Sequence, residues 1–166
     1  MTTSSYDPCL LITTTKGIFG VVGMQTDDTL FLGSEKFATL EEEELKRAQF
    51  SAKPRDELSC TTNLIFNGCV LTQDSDNTMT LCQKEQGKKM QLIDTKGDNA
   101  QQQYLEQRAR GAYIASICQP EASYDLSVAA QHQNPTEDNI HTLNKRLEWQ
   151  IKNMNRGIRY VALDLT

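Results

Sequence analysis

The stretch from Ile18 to Leu32, IFGVVGMQTDDTLFL, carries the reading of the fold. Apolar and β-branched residues fill Ile18 to Met24, a polar break runs from Gln25 to Asp28, and Thr29 to Leu32 is apolar again. That pattern predicts two short strands around a tight turn. Side chains alternate between faces along a strand, so Val21 and Val22 should lie on opposite faces. Just upstream, Cys9 to Thr13 (CLLIT) is a further β run, set off by Thr15-Lys16-Gly17, and the three together predict a meander.

The polar break contains Asp27-Asp28. Adjacent carboxylates repel, and one pKa rises unless both face solvent or a cation; a hairpin tip offers either. Two readings stand side by side. Asp is among the commonest turn residues, which makes this a polar turn. Alternatively it is a divalent-metal site of the polymerase kind, where carboxylate oxygens hold Mg²⁺ and the ion clamps attacking and leaving phosphate oxygens.

Further along, Ser34 opens a predicted helix with Phe37, Leu40, Leu45 and Ala48 on one face and Glu42/Lys46 and Glu43/Arg47 spaced for i,i+4 pairing; Pro54 lies just past its end. Asn63 to Gln73 and Thr78 to Gln83 predict two strands across an Asp-Ser-Asp-Asn loop. Asp94 to Gln103 (DTKGDNAQQQ) is polar and linker-like. Beyond it the period changes to helical. Leu105, Ala109, Ala112, Tyr113 and Ser116 share a face, and Pro120 stops that run. Ala122 to Gln131 predicts a short helix. Asn134-Pro135-Thr136 caps another, striped by Ile140, Leu143, Leu147, Ile151 and Met154; Gly157 ends it, and Ile158 to Leu165 predicts a closing strand. The expected fold class is α+β: β-hairpins with one helix over residues 1–93, a linker at 94–103, and a mainly helical segment over 104–166.

Composition bounds the function classes. With 166 residues, 17 basic against 22 acidic and a net charge of -5, the chain is not a wholly basic nucleic-acid protein. Most of the excess acid lies before residue 61, so any nucleic-acid surface belongs to the second half. Two basic clusters occur there: Lys84, Lys88, Lys89 and Lys96, expected on a helix, and Lys145, Arg146, Lys152, Arg156 and Arg159 near the C-terminus. Trp149 falls on the side of Lys145 and Lys152, opposite the Ile140/Leu147 stripe. An aromatic among cations suits base stacking; a solvated charge face with a packed Trp is the other reading. Five cysteines without a Cys-x-x-Cys suggest neither zinc nor a disulfide framework, and a reducing compartment follows. His132 and His141 have no metal-ligand spacing around them. The longest apolar run, Gly17 to Met24, is far short of the roughly 18 residues of a spanning helix, so no membrane is expected. The expected location is intracellular.

Several of these pieces share an order. Asp7-Pro8-Cys9-Leu10-Leu11 followed by Gly23 to Leu30 (GMQTDDTL) resembles the catalytic hairpin of copia-type LTR-retrotransposon reverse transcriptases, specifically their fungal relatives. Asn63 to Gly68 (NLIFNG), with Leu81-Cys82-Gln83, resembles the primer-grip hairpin that leads into the thumb. Gly111 to Ala115, Gln119-Pro120, Tyr124 to Ala129, Asn134-Pro135, and Leu143 to Leu147 with Arg156-Gly157-Ile158 resemble the segment between polymerase and RNase H. The family has an aromatic residue where this chain has Gln25.

The resemblance implies a C-terminal palm, thumb and connection fragment of an RNA-directed DNA polymerase. Asp27 and Asp28 would be catalytic carboxylates on Mg²⁺ (or Mn²⁺), and Phe66, Asn67 and Gly68 would lie by the primer 3′ end. Independently of the resemblance, the two basic clusters offer Lys84, Lys88, Lys89, Lys145, Arg146, Trp149 and Lys152 for nucleic-acid contact. By residues alone, Gly68 is equally a β-bulge. Partners would be RNA/DNA template-primer and dNTP, with the location cytoplasmic, in a virus-like particle, or nuclear. Nothing in Met1 to Lys16 supplies the further palm Asp or the fingers, and the match stops about where RNase H would begin. The expectation is therefore an interior slice, inactive alone. A retained, non-catalytic module that binds nucleic acid or protein weakly is the alternative.

Overall fold

A computed structural model of the chain describes residues 1–26, 28–51 and 53–161. They form two four-stranded antiparallel sheets and four α-helices, an α+β fold. The chain divides into two compact units, Met1–Asp56 and Glu57–Thr166. The linker-like stretch 94–103 lies inside the second, where it turns the chain into a helix.

In the first unit β1 (Thr2–Thr3), β2 (Leu10–Ile12), β3 (Gly20–Gln25) and β4 (Asp28–Gly33) follow one another across the sheet. The β3–β4 register pairs Gln25 with Asp28 and Gly20 with Gly33, the expected hairpin. Val22 is buried and Val21 half-buried, as alternation requires. Helix α1 (Glu35–Arg47) starts at Ser34, whose hydroxyl accepts from the Phe37 N–H at 3.4 Å. Its Phe37 ring sits on the Gly20/Gly33 pair, where an added Cβ would come within 2.2 and 2.5 Å of ring carbons. Only glycine at both positions lets the helix approach the sheet this closely. Phe31 meets Phe37 edge-on at 5.7 Å.

The expected face of α1 needs correcting, because Leu40 and Ala48 are exposed and the inward residues are Phe37, Ala38, Glu41 and Leu45. Arg55 accounts for the rotation. It donates to the Ala38 carbonyl at 3.1 Å, pairs with Glu41 and lies over the Phe31 ring at 5.2 Å, closing that side with polar groups. Lys46 pairs with Glu42 at 2.6 Å as expected, whereas Arg47 takes Glu44 in place of Glu43.

In the second unit β5 (Leu64–Phe66), β6 (Cys69–Gln73), β7 (Met79–Gln83) and β8 (Ile158–Tyr160) form the other sheet. Asn63 to Gln73 is thus two strands and not one. Asn67 and Gly68 have φ of +48° and +73°, the two positive values a type I′ hairpin turn needs. The basic stretch after β7 is a single 3₁₀ turn, Gln86–Lys89, and not a longer helix. Helix α2 (Ala100–Ile117), a 3₁₀ turn at Pro120–Ala122, α3 (Ser123–Ala130) and α4 (Glu137–Lys152) complete the unit.

Tyr104, Ile114, Leu126, Leu143 and Leu147 make a common core with Met90 and Ile93. Helix α4 buries Ile140, Leu143 and Leu147 and half-buries Ile151, the stripe expected of it, with Met154 half-buried just past its end, and Thr136 caps it through a capping box with Asn139. Helix α2 does not use its expected face: Leu105, Ala109, Tyr113 and Ser116 are exposed, and Tyr104, Gln107, Gly111, Ile114 and Ala115 are buried. The inward face carries a glutamine and a glycine, so a count of apolar residues points to the wrong side. Gly157 lies beyond the end of α4, which Asn153 caps. A Cβ there would come within 2.7 Å of the Leu81 carbonyl, so the glycine admits β8 to the sheet.

Candidate functional site

The acidic turn belongs to the first unit. Asp28 opens β4, exposed and opposite Gln25, and Thr26, the residue after Gln25, has φ +51°. Asp27 lies outside the described residues. Among the described residues no group of three or more His, Cys, Asp or Glu side chains is placed to hold a metal ion, His132 and His141 included. Mg²⁺ favours near-ideal octahedral oxygen geometry. Asp28, a carboxylate at a solvent-exposed turn, fits such an ion where water and substrate phosphates contribute to the shell.

Phe66, Asn67 and Gly68 meet at the β5–β6 turn of the second unit. The Tyr113 hydroxyl of α2 donates to the Asn67 carbonyl at 3.2 Å, and Lys84 donates its backbone N–H to the Gly68 carbonyl at 3.1 Å. A Cβ on Gly68 would stand 2.5 Å from that hydroxyl oxygen. The turn is therefore fixed from two sides, and Gly68 is a turn glycine, not a bulge. Tyr113, expected on the buried face of α2, is exposed and holds this turn instead, a contact that no spacing within one helix discloses.

The basic residues divide by what they touch. Lys88 pairs with Glu85 at 2.8 Å, and with Lys84 and Lys89 nearby it holds the Glu85 carboxyl below the ordinary carboxylate range. Lys152 pairs with Glu148 at 2.7 Å, and Arg159 reaches Asp76 at 3.5 Å. Arg146 is paired with Asp125 of α3, and the Arg156 Nε donates to Glu121 at 2.7 Å. The Glu121 carboxyl is held low by its own backbone N–H and then by Arg156. Both guanidiniums also lie over the Trp149 ring, at 5.1 and 5.8 Å from its centroid.

Trp149 is thus half-buried between two arginines that already have carboxylate partners, a clamp joining α4 to the segment Glu121–Asp125. Stacking a base on that ring would require moving them. Lys84, Lys89 and Lys145 are exposed and form no ion pair among the described residues. Of the residues named for nucleic-acid contact, these three have no direct ion-pair partner among the described residues, although Lys84 and Lys89 lie in the field of Glu85. No described helix is long and apolar enough to cross a membrane.

No family model, no curated protein and no solved structure matches this chain.

Proposed function

We propose that the chain is the C-terminal palm, thumb and connection portion of a copia-type reverse transcriptase, serving two-metal nucleotidyl transfer in the intact enzyme. In this reading Asp27 and Asp28 present carboxylates to Mg²⁺ (or Mn²⁺) and the Phe66–Gly68 turn backs the primer end. The observation that carries it is the order of two tight hairpin turns: an acidic one at the β3–β4 end and, after one helix, a rigidly held Asn-Gly one at β5–β6. Those are the two hairpins the resemblance calls for.

A second feature agrees with a palm that packs on further chain. Ile12, Val21 and Leu32 lie side by side across β2, β3 and β4, on the face away from Phe37, and Ile12 and Leu32 are 40% and 68% exposed. Contact with template-primer falls to Lys84, Lys89 and Lys145, which attract phosphate without displacing an internal partner. The paired state of Arg146, Lys152 and Arg156 favours weak binding and keeps a non-catalytic binding module as the second reading.

Primer extension tests the proposal. The chain alone should incorporate no nucleotide with Mg²⁺ or Mn²⁺, because positioning and charge stabilisation of the transferring phosphoryl group require the fingers and a further palm Asp. Fused in frame behind an upstream palm and fingers it should extend a primer, and Asp27→Asn should abolish extension. Extension by the fusion that survives Asp27→Asn would overturn the proposal. Duplex binding by the chain should be weak and fall steeply with salt, as counterion release demands, and Lys84→Glu with Lys145→Glu should reduce it further.

A further inference from the structure

Strand β4 is an outer strand of the first sheet, with β3 on one side only. The Gly20 carbonyl accepts from the Thr13 N–H at 2.9 Å and the Met24 N–H donates to the Cys9 carbonyl at 2.9 Å, so both residues turn their main chain toward β2. Gly33 and Thr29 lie opposite them in the β3–β4 register and therefore turn theirs away from β3; Phe31 does the same by alternation. Ser34, in the other phase, donates its N–H to the Phe19 carbonyl of the β3 side at 2.9 Å. The N–H and C=O groups of Thr29, Phe31 and Gly33 thus point outward, and none has a partner among the described residues. Helix α1 and Arg55 cover a face of the sheet and not this edge: Phe37 stands on Gly20 and Gly33, and Arg55 lies over the Phe31 ring. Thr29, Leu32 and Gly33 are exposed.

A bare edge strand is a template for further pairing, and folds blunt such edges by shortness, charge, proline or a bulge. The other edges of the two sheets follow that rule. β1 has two residues, β5 has three, and β8 has three with Arg159 at its centre. β4 has none of these devices along its length: it runs for six residues, its register with β3 is unbroken, and its one charge is Asp28 at the start.

We infer that β4 pairs antiparallel with β4 of a second copy of this chain, joining the two sheets into one about a two-fold axis. Such an axis sets residues of the same face opposite one another, and one register satisfies every outward group: Phe31 against Phe31, and Thr29 against Gly33. Sliding by two residues sets Gly33 or Thr29 beyond the end of the opposing strand. In the full register Leu30 opposes Leu32 on the face away from α1, so the apolar row of Ile12, Val21 and Leu32 continues into Leu30, Gly23 and Leu10 of the second copy. The two Asp28 carboxylates fall at opposite ends of the paired strands. Each lies across from Ser34 of the second copy, at the N-terminus of α1, where the helix dipole favours an anion. This self-complementarity selects a second copy over a foreign strand, since apolar meets apolar and like charges are kept apart. The inference does not rest on the polymerase reading.

Association of the full chain, measured without metal or nucleic acid, tests it separately from primer extension. Sedimentation equilibrium should show monomer passing to dimer as concentration rises. Over the same range the amides of Thr29, Phe31 and Gly33 should pass from unprotected to protected against exchange, while those of Leu30 and Leu32 are protected throughout. Thr29→Pro removes an outward N–H at a position where an edge strand tolerates proline, and should raise the dimer dissociation constant about tenfold. Leu32→Lys sets a charge against Leu30 of the second copy and should weaken the dimer as well. If Thr29→Pro does not fold, Leu32→Lys decides. A chain that stays monomeric at millimolar concentration would overturn the inference and leave the edge to a different chain. A dimer that the substitutions do not weaken, or growth beyond a dimer, would overturn it too.

Discussion

Among described residues, Val22 and Phe37 are the only apolar side chains buried in Met1–Asp56, whereas Glu57–Thr166 buries Tyr104, Ile114, Leu126, Leu143 and Leu147 in one core. The first unit relies on strand pairing and one aromatic ring seated on two glycines. The second relies on helix packing backed by buried polar bonds: the Tyr104 hydroxyl donates to the Ala129 carbonyl at 3.0 Å, Gln150 Nε2 to the Gly111 carbonyl at 3.1 Å, and Gln119 Nε2 to the Asn153 carbonyl at 2.8 Å. A short chain buries a smaller share of its surface than a long one, so it has less margin to lose. The contrast teaches that the acidic turn sits on the weaker scaffold. The Asn-Gly turn sits on the stronger one.

The largest expected effect follows from Phe37. Truncating a buried Phe to Ala typically costs about 3–5 kcal/mol, more than a unit with so sparse a core can lose. Phe37→Ala should therefore abolish amide protection in β3 and β4 while α2 and α4 keep theirs. Simultaneous loss in both units would break the comparison, because it would show that one cooperative core serves the whole chain.

A smaller effect is expected at Gly68. Alanine there must hold φ near +73° and place its Cβ 2.5 Å from the Tyr113 hydroxyl oxygen. The left-handed conformation alone costs roughly 1–2 kcal/mol. Gly68→Ala should lower the denaturation midpoint of the second unit only, and Gly68→Ala with Tyr113→Phe should remain destabilised because the φ penalty stays. Full recovery in the double variant would assign the cost to the contact with Tyr113 and sharpen the account of what holds the turn.

The division between what the residues disclose and what they conceal follows the same line. The β3–β4 hairpin, the Ser34 and Thr136 starts and the α4 stripe are legible because each is a local pattern of a few residues. The face of α2 is not, since Gln107 and Gly111 point inward for reasons that lie on other elements: Gln107 accepts from the Gln91 N–H and Gly111 admits Gln150. The Asn67-Gly68 turn was open to reading from its dipeptide, but a single strand from Asn63 to Gln73 overrides it unless turn chemistry is weighed first. Trp149 falls on the predicted side of α4, yet its neighbours Arg146 and Arg156 carry partners from the segment Glu121–Asp125, which no spacing on one helix reveals.

The smallest expected effect is a pH dependence confined to the second unit. Burial pushes the thiols of Cys69, Cys82 and Cys118 up, and burial also raises Tyr104. Each is an acid whose neutral form the fold prefers, so the folded state binds more protons than the unfolded state between the two pKa values. Stability from these groups is then fully present below the ordinary thiol value of roughly 8.5 and falls as pH rises beyond it. The sole cysteine of the first unit, Cys9, is exposed. Denaturation midpoints followed by β3–β4 and by α2–α4 probes at pH 7.5 and again near pH 9.5 should converge, with the second unit losing more. Replacing Cys69, Cys82 and Cys118 by Ala should flatten that slope, leaving the Tyr104 contribution at the alkaline end. A slope that persists undiminished in the triple variant would assign the pH dependence to groups other than these thiols.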